Sequence, residues 1–294
     1  MGLKMRGVQM TVLATVAVVL GTSCSSSSPS GPVMKYVALG DSYASGEANP
    51  PFDKGTAVPG RGGDDCHRSS KAYPRVLKVN NRLNVVHKAC SGAVTQDILD
   101  HARFPSEPPQ VSWLDSTADV VTIMIGGNDA GFIALGACLA PGPSCSRIDP
   151  EVQRRIRSLE QRLPALYREL RRRSPQARIL VVGYPQIFPD PSQVRIEGCG
   201  MVNIRGIGID SDEASFLRQK TGQVNQAIHA AATEGGVEFV DEENALAGHE
   251  VCTKSPWVFG ALPFSSGLSF HPSADGHKAM AKQLAATLTR PRQS

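Results

Sequence analysis

Val120-Val121-Thr122-Ile123-Met124-Ile125-Gly126-Gly127-Asn128-Asp129 is the stretch that decides the fold. Its first six residues carry no charge, all but Met124 are β-branched, and two glycines stop the run. A run this short and this branched reads as a strand. Its lack of polar alternation reads as burial on both faces, the condition of an inner strand in a parallel sheet. The polar pair Asn128-Asp129 then falls just past the strand's carboxyl end, where open α/β sheets hold their reactive groups.

Similar runs recur along the chain at Tyr36–Leu39, Asn84–His87, Ile179–Val182 and Val237–Val240. Helical patterns lie between them. The clearest begins at Asp149, which suits an N-cap, with Pro150 at the first helical position. Val152, Ile156, Leu159, Leu163, Leu166, Tyr167 and Leu170 follow at helical spacing, and Pro164 within the run predicts a kink or a break. Further helices are expected over 212–234 and 273–288. Strands alternating with helices imply parallel strands joined by right-handed crossovers, and five of them fit one doubly wound α/β domain. Two long segments, Glu47–Arg68 and Tyr184–Gly208, read as loops with a task, because structureless stretches of that length are uncommon otherwise.

The composition, 41% hydrophobic and 20% charged over 294 residues, excludes disorder, collagen and coiled coil as descriptions of the whole chain. One long apolar run excludes a multi-span membrane protein. The net charge of +4 comes with no polybasic tract, so no nucleic-acid partner is expected; Arg171-Arg172-Arg173 closes a helical segment, where cations complement the macrodipole.

That apolar run, Met10–Leu20, follows Lys4 and Arg6 and precedes small residues, the layout of an export signal over residues 1–24. Cys24 opens a Ser/Pro-rich tether over 25–34. Its placement resembles a bacterial lipoprotein, although Leu20 stands four residues before the cysteine rather than three. Membrane anchoring through Cys24 and plain secretion both remain open. Setting Cys24 aside leaves Cys66, Cys90, Cys138, Cys145, Cys199 and Cys252. Six cysteines in an exported protein suggest three disulfides, and although 15 connectivities are possible, short loops favour Cys66–Cys90, Cys138–Cys145 and Cys199–Cys252. No paired-cysteine or histidine-glutamate motif calls for a metal.

Four short blocks carry the chemistry: Gly40-Asp41-Ser42-Tyr43, Cys90-Ser91-Gly92, Gly126-Gly127-Asn128-Asp129 and Phe270-His271-Pro272. Each of the first three follows a predicted strand. A serine at a strand-to-helix turn is exposed, a histidine can take its proton, and backbone N–H groups or an asparagine amide can hold an oxyanion. Ser42, His271, Gly92 and Asn128 fit those roles. Each block alone is an ordinary turn or helix start; their joint occurrence is what matters.

In this order and at these strand ends, the blocks resemble the SGNH, or GDSL, hydrolase family. The six-cysteine layout and the Gly-Asp-Ser-Tyr first block are similar to its secreted actinobacterial lipases and esterases. The resemblance spans residues 36–277. It implies a three-layer αβα sandwich of flavodoxin-like type with a five-stranded parallel sheet, a single hydrolase domain over 35–290. It implies Ser42 as nucleophile, His271 as base, and an oxyanion hole from the Ser42 N–H, the Gly92 N–H and the Asn128 side chain, with no cofactor. Ala44 rules out the G-x-S-x-G elbow of α/β-hydrolases. Most of the family carries Asp three residues before the histidine; here Leu268 stands there, so its backbone carbonyl is the expected orienter of His271. Asp275 is a rival orienter, already explained by its helix start, and His277 reads as a polar residue in the first turns of that helix.

The expected protein is thus an exported monomeric serine esterase or lipase, working on a carboxylic ester or lipid through an acyl-enzyme. A phospholipase or carbohydrate deacetylase on the same scaffold, and a non-catalytic surface-anchored binding module, are the alternatives.

Overall fold

Strand β1 (Met34–Gly40), the first in the chain, is an inner strand, paired in parallel with β2 (Leu83–His87) on one side and β3 (Val120–Met124) on the other. Strands β4 (Arg178–Val182) and β5 (Glu238–Val240) extend the sheet, giving the order β2-β1-β3-β4-β5 with every pairing parallel. The computed structural model describes residues 1–2, 32–58, 64–77, 82–132, 145–192, 210–260 and 270–291. Cys24 and nearly all of the leader and tether, together with Cys138, Cys199 and Leu268, lie outside the described residues.

All five residues of β3 are buried, as an inner strand requires. The one polar side chain among them, Thr122, meets the hydroxyl of buried Tyr36 across the pairing at 2.8 Å, so neither group is left unsatisfied. Short helices α1 (Ser42–Ser45), α2 (Tyr73–Val76), α3 (Thr95–Leu99) and α4 (Gly127–Ala130) and long helices α5 (Asp149–Arg173), α6 (Ser211–Glu234) and α7 (Ala274–Leu288) complete the three layers. Helix α5 packs against α6 and α3, and α2 packs against α7.

The expected apolar positions of α5 are its buried ones. Two details differ from expectation. Asp149 is a helical residue and Ile148 the cap, because a 3₁₀ turn over Cys145–Ile148 leads into the helix and the Asp149 carboxylate instead pairs with the buried ammonium of Lys220 on α6. Pro164 does not end the helix. It is buried among Leu163, Leu166 and Tyr167, whose packing offsets the lost backbone bond. Helix α6 starts on a capping box between Asp210 and Glu213, and α7 on Ser273.

The end of β1 is fixed from several directions. Gly40 has φ +137, and a Cβ there would stand 2.3 Å from the Met124 carbonyl oxygen, so only glycine lets β1 and β3 close up at this point. The Gln110 side chain donates to the Gly40 carbonyl at 2.9 Å and accepts its N–H at 2.8 Å. At the end of β2, buried His87 donates from Nε2 to the Ala44 carbonyl at 2.9 Å, steadying α1. Burial pushes the His87 pKa down to about 3, so this ring is neutral.

The disulfide Cys66–Cys90 joins the loop after α1 to the turn after β2. Cys145 and Cys252 are also disulfide-bonded; their expected partners, Cys138 and Cys199, fall outside the described residues. Closing a loop with a separation of 24 residues restricts the unfolded chain. Replacing Cys66 and Cys90 together by Ser should lower unfolding stability by ~3 kcal/mol, read as a lower urea midpoint and, because the freed unfolded chain exposes more surface, a steeper slope.

Candidate active site

Ser42 is the first residue of α1 because Asp41 caps that helix, accepting the Tyr43 N–H at 3.0 Å. Its Oγ lies 2.8 Å from His271 Nε2, across a sequence separation of 229 residues. The other expected groups converge on the same sheet edge through backbone ties. Cys90 N–H donates to the Gly40 carbonyl at 2.9 Å, and Asp41 N–H to the Met124 carbonyl at 3.0 Å. The Asn128 amide donates to the Ala93 carbonyl at 2.9 Å, which fixes its plane and leaves its second hydrogen for another partner. The N–H groups of Ser42 and Gly92 meet no acceptor among the described residues. The structure therefore brings Ser42, His271, Gly92 and Asn128 into one cluster at the carboxyl ends of β1, β2 and β3.

His271 is held through its backbone. Its carbonyl accepts Phe259 N–H at 2.9 Å, Phe270 N–H donates to the Phe259 carbonyl at 2.8 Å, and Asn49 Nδ2 donates to the Pro272 carbonyl at 2.9 Å. Phe270 sits at φ +61, a conformation that costs a non-glycine residue energy and needs support. The Tyr43 hydroxyl gives it, donating to the Phe270 carbonyl at 2.6 Å. The Tyr43 ring also lies 5.1 Å from the His271 ring and 5.4 Å, edge-on, from Tyr184.

Beneath the serine runs a buried polar chain with no counterpart in the sequence reading. The Tyr184 hydroxyl donates to Asp41 Oδ2 and accepts Gly127 N–H at 2.9 Å, so one oxygen joins the serine block to the asparagine block. Burial pushes the Asp41 pKa up to about 7, against the pull of the Tyr184 bond. Asp129 accepts the N–H and hydroxyl of Thr95 at 3.0 and 2.7 Å, anchoring the start of α3. Burial raises its pKa as well. A third carboxylate, buried Glu47, accepts His67 Nδ1–H at 2.7 Å, while His67 Nε2 faces Asp65 at 2.8 Å. Burial alone would raise the Glu47 pKa, but bonds from His67 and Ser91 and the nearby His271 ring hold it below its ordinary value. Nothing in the sequence distinguishes Glu47 from other loop acids.

The two polar residues weighed near His271 both fall in the first turn of α7. His277 is not a surface residue of its helix; it is fully buried, its Nδ1 accepts Tyr73 N–H at 3.2 Å, and burial drops its pKa to about 3. It is a neutral acceptor that docks α2 onto α7. Asp275 is exposed, its carboxylate paired with Lys278 at 2.8 Å on the outer surface of α7.

A serine hydroxyl bonded to a histidine imidazole, beside unengaged N–H donors at the edge of a parallel sheet, is the arrangement of a serine hydrolase. The chain belongs to the GDSL-like lipase/acylhydrolase family, whose model matches residues 38–279. It is a carboxylic ester hydrolase. A lipase from Streptomyces rimosus is 31% identical over 90% of this chain and 91% of its own length. The crystal structure of an extracellular lipase from Streptomyces rimosus superimposes with a TM-score of 0.66 at 29% identity, covering 86% of this chain and 99% of that one. That of a phospholipase A1 from Streptomyces albidoflavus NA297 gives 0.71 at 28% identity, covering 88% and 100%.

The Asp41 shift has a sign. Folding raises this pKa from 3.8 to about 7, so the folded state holds an extra proton between those values. The stability it confers is full below the unfolded pKa and is lost as pH rises through the folded one. Asp41→Asn, which cannot titrate, should flatten the fall in unfolding free energy between about pH 4 and pH 7, measured by urea unfolding at stepped pH.

Proposed function

We propose that the protein is an exported serine esterase or lipase that works through an acyl-enzyme, with Ser42 as nucleophile and His271 as its base. The observation that carries this is the 2.8 Å bond between Ser42 Oγ and His271 Nε2. In the first half-reaction, Ser42 Oγ attacks the ester carbonyl carbon while Nε2 takes the hydroxyl proton. The carbonyl oxygen becomes an oxyanion, stabilised by the Ser42 and Gly92 N–H groups and the Asn128 amide. As the carbon–oxygen bond to the alcohol breaks, His271 returns the proton to the leaving oxygen. In the second, His271 deprotonates water as it attacks the acyl carbon, then returns that proton to Ser42 Oγ as the acyl–oxygen bond breaks and the carboxylic acid is released. Nε2 must be neutral to accept the proton, so activity should fall on the acid side as the imidazole becomes protonated.

Export is supported by the leader-like sequence, by disulfide-bonded cysteines and by the extracellular lipase among the relatives. A phospholipase is the second reading, favoured by the fit to the Streptomyces albidoflavus NA297 phospholipase A1 structure. It uses the same residues and differs in the substrate's headgroup. A non-catalytic binding module would have no need of the Ser42–His271 bond.

Ser42→Ala and His271→Ala should each lower ester turnover by ~10⁴-fold or more while leaving the fold intact. A fluorophosphonate probe should label the wild type and spare Ser42→Ala. Retention of more than a few per cent of activity by Ser42→Ala assigns the nucleophile elsewhere, and a panel of triacylglycerol, phospholipid and short-chain esters separates the two substrate readings. Tyr43→Phe removes the bond to the Phe270 carbonyl and nothing else. It should lower kcat by roughly fivefold at little change in KM, matching the ~1 kcal/mol of one buried hydrogen bond; an unchanged kcat would relieve Tyr43 of any part in placing His271.

A further inference from the structure

Arg103 lies in none of the four blocks, yet its side chain reaches the oxyanion side of the site. Its Nε–H donates to the Ser91 carbonyl at 2.6 Å. Its guanidinium lies directly over Gly92: a Cβ there would fall 2.2 Å from Nη2 and 3.0 Å from Cζ. Gly92 also sits at φ +72. The positive φ favours glycine at this position, and the missing side chain leaves the room that the guanidinium occupies.

The arginine is held in place. Nη1 lies 3.7 Å from Asp97 Oδ2, and the Arg103 side chain is only 33% exposed. Asp97 is buried and already engaged, accepting Val94 N–H at 2.9 Å and facing His101 Nδ1 at 2.9 Å. The same turn is anchored on its other flanks: Ser91 N–H donates to the Cys66 carbonyl at 3.0 Å, and the Ala93 carbonyl receives the Asn128 amide.

The Ser91 carbonyl and the Gly92 N–H belong to one peptide group. A cationic donor on the oxygen end of that group draws electron density toward it. The N–H at the other end becomes a stronger donor, and the peptide plane cannot swing. We propose that Arg103 is a positioning residue for the oxyanion site, fixing and polarising the Ser91–Gly92 peptide so that its N–H meets the oxyanion. This rests on the reading of the Gly92 N–H as an oxyanion donor. The guanidinium stays charged at every working pH, so the effect is constant across the pH profile. Because the benefit exists only when the oxygen carries charge, it belongs to kcat and not to substrate binding.

The test is steady-state kinetics with a neutral ester, paired with the affinity for an alkylboronic acid, which forms a tetrahedral adduct on an activated serine. Arg103→Gln should lower kcat about tenfold, a fraction of the ~10²–10³-fold loss expected when an oxyanion donor is removed outright. KM should stay within about twofold, and boronic-acid affinity should fall by the same factor as kcat at every pH. Arg103→Lys keeps a cationic donor and should recover part of the loss; it replaces Arg103→Gln in the comparison if the glutamine variant does not fold. Asn128→Ala is the control. If it costs ~10²-fold or more while the Arg103 variants leave kcat and boronic-acid affinity unchanged, Arg103 has no such role and the acyl-enzyme reading stands. If neither position matters, the reading of the oxyanion site itself fails. A rise in KM alone would make Arg103 a substrate contact and overturn the proposal.

Discussion

One buried oxygen, the hydroxyl of Tyr184, bridges the two loops that leave the neighbouring strands β1 and β3. It donates to Asp41 and accepts from Gly127 N–H. Asp41 sits at the end of β1 and Gly127 just past β3, so the bond adds a side-chain tie to the backbone bond between Asp41 and Met124 and locks the serine turn to the asparagine turn. The groups are fully enclosed, and losing the hydroxyl would strand a carboxyl and an amide N–H in a place without water. That penalty makes the arrangement rigid. The raised pKa of Asp41 records the same enclosure.

The sheet imposes the rest. Parallel strands bring all their carboxyl ends to one edge, so turns from β1, β2 and β3 meet there without any local sequence relation between them. The histidine arrives differently. His271 comes from an irregular segment before α7, and what fixes it is a set of backbone bonds to Phe259, Asn49 and Tyr43. Tyr43 is the neighbour of Ser42 in sequence. The turn that presents the hydroxyl therefore also supports the residue next to its partner, and any shift of α1 is felt at both.

The inner strands β1, β3 and β4 were legible because burial on both faces leaves long apolar runs, and the edge strands β2 and β5 by their short β-branched and aromatic runs; each observed strand lies within two residues of the expected one. The four blocks were legible because glycines and small polar residues at strand ends are locally distinctive. What could not be read were partners distant in sequence. Tyr184 stands in a loop with nothing to mark its hydroxyl as the junction of two blocks. Arg103 and Glu47 look like surface charges until the fold brings Ser91 beside both. His277 follows the pattern of a polar helix residue, and only the approach of α2 makes it a buried acceptor. Asp149 had every local feature of a cap, and a buried lysine on another helix claimed it.

The Ser42–His271 bond spans 229 residues of chain. Its two ends are therefore separated by almost the whole of synthesis, and a polypeptide still emerging from a ribosome or a membrane pore has the hydroxyl without the imidazole. Both the first strand and the final helix must have settled before the pair exists. The contact is thus a record of completed folding: a truncated or tangled copy carries the serine turn without the imidazole beside it.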